Sequence, residues 1–210
     1  MERDKCGRRL DFDVDQFPAG THVCYIYNDD EERRHVMANY LAAGLAAKER
    51  VLYLVATLSP KRLIDWLLED GCLFDSDSPA LTVAEAVPAY CLSGAFHAGE
   101  MLGFVRRFYL QGMADGYTGV RGTGEMSWCR DRGNSEIDEI FEYEAGLNIL
   151  IREHPLRACC QYDTRHFDGR TIFEVLRVHP LAIIRGQLVR NPYYVEPETY
   201  LEELRARRAA

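Results

Sequence analysis

Two short runs constrain this chain more than anything else in it. Thr21–Tyr27 (THVCYIY) and Arg50–Thr57 (RVLYLVAT) are rich in β-formers and lack the polar alternation of a strand with one wet face. Such strands must be covered on both sides, and a segment of helical period follows each. After the first, Val36, Tyr40, Leu41 and Leu45 recur at three- and four-residue steps between Glu31 and Lys48. After the second, Ser59 caps and Pro60 opens a helix carrying Leu63, Ile64, Trp66, Leu67 and Leu68, which Gly71 stops. The pattern continues with strands predicted at Leu81–Ala86, Tyr117–Trp128 (ending in a polar tip and broken by Gly119, Gly122 and Gly124), Arg157–Tyr162 and Leu181–Arg185. Helices are predicted at Glu100–Asp115, Glu136–Glu153, Arg170–Val178 and after Pro197. This alternation predicts one α/β domain of three layers, a mostly parallel central sheet with helices on both faces. The organisation reads as a polar segment at 1–16, the domain at 17–195 and a helical tail at 196–210, whose charge run Glu196–Arg208 reads as a solvated helix face.

Composition narrows the function classes. Lys and Arg number 25 against 33 Asp and Glu, a formal charge of −8, which argues against a general nucleic-acid surface. The basic groups Lys5, Arg8 and Arg9 at one end and Arg205, Arg207 and Arg208 at the other read as solvated termini. The seven cysteines (Cys6, Cys24, Cys72, Cys91, Cys129, Cys159, Cys160) are odd in number and scattered, as in a reducing, cytoplasmic compartment without a disulfide framework. No apolar stretch approaches the roughly 20 residues that span a bilayer.

In open parallel sheets, ligands bind beyond the carboxyl ends of the strands. That rule gathers Tyr27, Asn28, Asp29 and Asp30 with Arg121, Glu125, Met126, Trp128, Tyr162 and Asp163 into a predicted crevice suited to a small ligand with a polar handle. In a nucleotide-binding fold, the first strand–helix turn would be a glycine-rich phosphate cradle with a lysine. Here Tyr27–Glu32 has neither glycine nor lysine and carries four carboxylates, which repel a triphosphate.

Several blocks resemble a known family in order and spacing. They are Gly20–Tyr27, Glu31-Glu32-Arg33, Tyr40–Leu45, Glu49–Tyr53, Gly116–Trp128, Tyr143-Glu144, Cys160–Asp163, His179-Pro180 and Asn191–Tyr194. Together these resemble the MEDS domain, the methanogen/methylotroph sensory domain of the dichloromethane-responsive repressor family. The resemblance implies a RecA/KaiC-like fold whose phosphate loop has been replaced, and a sensor of simple hydrocarbon derivatives that signals to an effector. Repressors of the family carry a helix-turn-helix beside the sensor. Residues 1–19 and those after 195 offer none, so direct DNA binding is not carried over, and signalling through a regulatory partner or a homo-oligomer is expected.

Particular residues carry competing readings. His22 and Cys24 share a strand face, and a RecA-like strand order puts Cys160 beside them. The three then form a soft-metal or thiol-reactive site, or are core residues with one structural imidazole. Their irregular spacing makes no metal motif, and no metal or cofactor is assigned. Cys159 and Cys160 point to opposite faces. Glu125 contacts ligand, pairs with Arg121, or serves only a structural ion pair. Trp128 and Tyr162 either wall a pocket or fill the core. His179-Pro180 reads as a helix end. No nucleophile constellation is evident, so a binding module is favoured over a nucleotide-hydrolysing remnant using Glu125 and Asp163.

Overall fold

The computed structural model describes residues 17–69 and 75–209. The polar segment 1–16, with Cys6, Lys5, Arg8 and Arg9, and the predicted stop at Gly71 beside Cys72 lie outside the described residues. The elements follow one another as β1 (Thr21–Tyr27), α1 (Asp30–Ala46), β2 (Arg50–Val55), α2 (Pro60–Leu68), β3 (Leu81–Glu85), α3 (Ala86–Tyr90) and α4 (Ala98–Ala114). Next come β4 (Val120–Glu125), a 3-10 turn at Met126–Cys129, α5 (Asn134–Glu153), β5 (Arg157–Asp163), α6 (Gly169–Val178), β6 (Leu181–Ile184), β7 (Gln187–Arg190) and α7 (Pro197–Ala209).

The seven strands lie in the order β3-β2-β4-β5-β1-β6-β7, all parallel except the last pair. Every side chain of β1 is buried apart from a half-buried Ile26, as its unalternating sequence predicts. Strand parity divides the core in two. Val23, Tyr25, Tyr27, Val51, Tyr53 and Cys159 pack under α1 and α2, while Cys24, Leu52, Leu54, Ala158, Cys160 and Tyr162 pack with α4, α5, α6 and α7. Cys159 and Cys160 therefore do face opposite ways.

Three sequence readings need correction. The polar tip after β4 is instead a buried turn, with Met126, Ser127 and Cys129 all inside. The last strand is half of a hairpin: β7 returns antiparallel after Arg185-Gly186, both at positive φ (51° and 69°), as a two-residue turn twisted to match its strands requires. Arg-Gly is a poor advertisement for such a turn, so β7 went unread. The charge run 196–208 is anchored as well as solvated. Tyr200 and Leu204 are buried in the core, and the Tyr200 hydroxyl donates to Glu174 at 2.6 Å. The charges around that seam bridge to neighbouring helices, as in Arg177–Glu203 (2.5 Å) and Arg208–Glu142 (2.6 Å).

The seam, rather than the charges, should hold α7. Leu204→Ala should cost about 2–5 kcal/mol in urea unfolding, the range for a buried leucine. Arg208→Ala should stay within about 0.5 kcal/mol, because an exposed pair gains little over its hydration.

Candidate functional site

The crevice predicted at the carboxyl edge exists, but the residues assigned to it scatter over three places. The crevice itself encloses about 470 Å³ between Asp30, Arg33, Thr57, Arg62, Trp66, Asp163 and Arg165, among others. Of the predicted residues, Asp30 and Asp163 line it, and Arg165 occupies the Asp163 carboxylate through Nε (2.8 Å) and Nη2 (2.6 Å) while also gripping Asp30. Tyr27 lies just below, stacked on Tyr25, with its hydroxyl accepting from Arg33 Nη1 at 3.2 Å. Asp29 caps α1 by accepting from the Glu32 amide at 2.8 Å. The helix terminus that cradles phosphate in nucleotide-binding relatives of this architecture is thus satisfied by the chain's own carboxylate.

Glu125 sits at this edge on the α1 face, fully buried. Tyr53 donates to its Oε1 at 3.1 Å and Arg33 Nη1 lies 3.3 Å from the same oxygen. The amides of Ala56 and Thr57 and the Thr57 hydroxyl donate to Oε2 at 3.0, 2.9 and 2.7 Å. A carboxylate offers about four lone-pair sites, so this one is filled. The predicted Arg121–Glu125 pair does not form, because four residues of strand place the two at opposite edges of the sheet. Arg121, at the amino edge, pairs through Nε with Glu49 at 2.6 Å and donates to the Tyr40 carbonyl at 3.0 Å. Trp128 also leaves the crevice; it stacks on Tyr90 at 4.7 Å between ring centroids, as part of the core below α4 and α5.

The third place is mid-sheet, on the α5 face. Here β1 and β5 are neighbours, as a RecA-like order requires, and His22 and Cys160 meet with Nε2 and Sγ 3.5 Å apart. Cys24 shares their face, but its thiol turns to the Leu181 carbonyl at 3.6 Å. Its place is taken by two residues that sequence reasoning did not assign to a site, Glu144 of α5 and His179, which ends α6. Glu144 Oε2 lies 3.2 Å from His22 Nε2, 3.3 Å from Cys160 Sγ and 3.6 Å from His179 Nε2, while Tyr162 donates to Oε1 at 2.6 Å. All four cluster residues and Tyr162 are buried. The signal for Glu144 was present: it stands on the apolar stripe of its helix, four residues from both Ile140 and Asn148 and seven from Ile151. His179 carried only the helix-ending proline, which says nothing of where its ring points.

The electrostatics follow from burial. Burial raises the Glu144 carboxyl, but the neighbouring His179 and His22 imidazoles and the Tyr162 hydroxyl outweigh it and hold the group at about 2. Burial, then His22, lowers the His179 imidazole to about 3 against the opposing pull of Glu144. Burial, reinforced by Glu144 and Cys159, pushes the Cys160 thiol well up, so it is a donor to Glu144. Beside the cluster lies an apolar cavity of about 40 Å³, roofed by Met101, Val105 and Phe108 of α4 and floored by Gly122, Gly124 and Cys160. Gly122 and Gly124, which break the strand pattern in the sequence, supply its open floor.

A mostly parallel sheet between two layers of helices, with its first strand–helix turn capped by Asp29, defines a domain of RecA-like fold. The chain belongs to the MEDS family, the methanogen/methylotroph, DcmR sensory domain, whose family model matches residues 21–180. It is similar to the transcriptional repressor DcmR of Methylorubrum extorquens (strain DSM 6343 / CIP 106787 / DM4), with 29% identity over 160 residues. That match covers 75% of this chain and 57% of the repressor, so the chain spans little more than half the length of that relative. Among solved structures it is similar to the flagellar accessory protein FlaH from Methanocaldococcus jannaschii, with a TM-score of 0.50 and 14% identity. The match covers 90% of this chain and 82% of that one, and it shows the RecA-like fold. The role this supports is sensory and regulatory.

If Glu125 is a structural pin, Glu125→Gln should cost about 3–5 kcal/mol, because Arg33 loses its buried countercharge and keeps only the exposed Asp30 at 3.8 Å. Equilibrium unfolding in urea measures this; a loss below about 1 kcal/mol would contradict the saturated-carboxylate reading.

Proposed function

We propose that this domain is a non-catalytic cytoplasmic sensor of a small organic molecule, which it binds in the cavity between α4 and the sheet. The observation that carries the reading is the cavity's composition: mostly apolar walls, with Cys160 of the buried cluster and the side chains of Tyr90, Thr123 and Tyr143 among the lining residues. A space of about 40 Å³ corresponds to roughly three water-sized groups at ~10–15 Å³ each. That size selects one- or two-carbon compounds with a halogen, hydroxyl or amine. The methanogen/methylotroph description of the family is in keeping with one-carbon compounds, and the repressor relative with a role in transcriptional regulation.

The signal leaves through the cluster. A ligand against Cys160 displaces a thiol bonded to Glu144, and Glu144 in turn faces His179 at the end of α6, whose outer face exposes Phe173. A regulatory partner or a second copy of the chain that prefers one placement of α6 reads the change, provided the ligand binds the two placements with different affinity. A nucleotide-hydrolysing remnant is less well supported, since Glu125 has no lone pair to spare and Asp163 is occupied by Arg165.

Thermal shift of the purified chain tests this. Halogenated methanes, small alcohols or amines should raise the melting temperature, a ligand at a hundred times its Kd adding about 2.7 kcal/mol. Magnesium nucleotides should leave it unchanged. A Cβ at Gly122 meets no atom within 4 Å, so Gly122→Val fills the cavity without a clash at that atom and should abolish the ligand shift while the protein stays folded. Stabilisation by ATP, or a ligand shift that survives Gly122→Val, overturns the proposal.

A further inference from the structure

The hydrogen-bond pattern around the cluster specifies which nitrogen lone pairs point inward. Asn148 Nδ2 faces the carbonyls of Glu144 (3.1 Å) and Val178 (2.7 Å), which only accept, so its amide nitrogen is the donor there and Oδ1 is the free acceptor. His22 Nδ1, 3.0 Å from Oδ1, therefore carries its hydrogen. His179 Nδ1 faces the Val175 carbonyl at 2.8 Å and carries its hydrogen for the same reason. Whenever either ring is neutral, this tautomer leaves Nε2 as a bare lone pair aimed at Glu144, itself an acceptor. Among the described residues, His179 Nε2 is buried with no hydrogen-bond partner. Two imidazole lone pairs converging on a carboxylate is an unfavourable packing unless something positive sits between them.

A divalent ion answers every element of this arrangement. Metal-binding histidines characteristically donate the other ring N–H to a carbonyl or carboxylate, which fixes tautomer and ring orientation. Here Asn148 and Val175 do this for the two rings, and Tyr162 holds the second oxygen of Glu144. His22 Nε2, His179 Nε2, Cys160 Sγ and a Glu144 oxygen all lie within 4.8 Å of one another. Metal–ligand bonds of 2.0–2.3 Å in a tetrahedron put its donor atoms about 3.3–3.8 Å apart. The three shortest separations in the cluster, 3.2, 3.3 and 3.5 Å, already approximate that figure. The widest has to close by about 1 Å. Cys160 loses its proton on binding, so a thiolate and a carboxylate neutralise a doubly charged ion, and the site is buried with no net charge.

We propose that His22, Glu144, Cys160 and His179 form a four-coordinate site for zinc or a similar divalent transition metal, held by β1, α5, β5 and the end of α6. Cys24 is not part of it. The site goes beyond the small-molecule reading and does not depend on it, because the probe is the metal alone.

Cobalt(II) titration of the purified, metal-stripped chain tests the site. One equivalent should bind, giving intense visible bands of a tetrahedral ion and a near-ultraviolet thiolate-to-cobalt band, and zinc should displace it. Cys160→Ser, nearly isosteric, should lose the thiolate band, while Cys24→Ser keeps it. His179→Gln should weaken zinc binding at least tenfold, and Asn148→Leu, which frees the His22 ring, about 10–100-fold. Circular dichroism confirms that each variant is folded, and the native cobalt spectrum stands whether or not they are. Absence of saturable uptake by the native chain, a thiolate band that survives Cys160→Ser, or unchanged zinc affinity in a folded His179→Gln overturns the proposal.

Discussion

A carboxylate with no exposure to water has to be answered from within, and the Glu144 carboxylate organises one whole face of this domain. Left unpaired in the interior, such a charge costs several kcal/mol, so the groups that meet it must be held in place. They come from β1 (His22), β5 (Cys160 and Tyr162) and the end of α6 (His179), while Asn148, one turn along α5, orients the first of them. Elements far apart in sequence are thereby fixed to one another through a single side chain. Hydrophobic burial brings the layers together, but it is indifferent to small slides; directional contacts at 2.6–3.6 Å to one carboxylate are not.

Strand parity then separates two sets of buried polar groups that proximity would otherwise mix. Even-numbered positions of β1, β4 and β5 face α4 and α5, where the polar cluster meets the apolar cavity. Odd-numbered positions face α1, where Glu125 is saturated by Arg33, Tyr53 and the β2–α2 loop. Glu125 closes the carboxyl end of the sheet as a rigid joint, and Arg165 clamps Asp30 to Asp163 across the same edge. The region where relatives of this architecture handle phosphate is thus braced by internal charge pairs. The buried polar cluster and the apolar cavity lie on the other face, under α4 and α5.

The architecture was legible because hydrophobic period is local. THVCYIY and RVLYLVAT announce central parallel strands, and the three- and four-residue steps after Glu31 announce α1. What escaped was structure whose signal is weak or distant, such as β7 behind an Arg-Gly turn and the short α3 containing Pro88. The site was half legible. His22 and Cys160 were placed together correctly, from strand parity and an assumed strand order. Cys24 was drawn in by the same parity, and Arg121 and Trp128 by the carboxyl-end rule, but their side chains turn elsewhere. A strand position gives the face and the edge but leaves open whether a thiol turns toward a carbonyl or a carboxylate.

By itself the sequence determined the alternation of strands and helices, the acidic turn without glycine or lysine, the glycines that thin β4 and the presence of a carboxylate on an apolar helix stripe. These are properties of neighbours along the chain, set by period, charge and side-chain size. Only the tertiary structure decided that Glu144 meets two imidazoles and a thiol, that both rings turn their lone pairs inward, and that the glycine floor opens onto Cys160. Those outcomes depend on residues as much as 157 positions apart (His22 and His179) being brought within a few ångströms by sheet order and helix packing. No local pattern encodes such a meeting, because its energy exists only once the layers have closed.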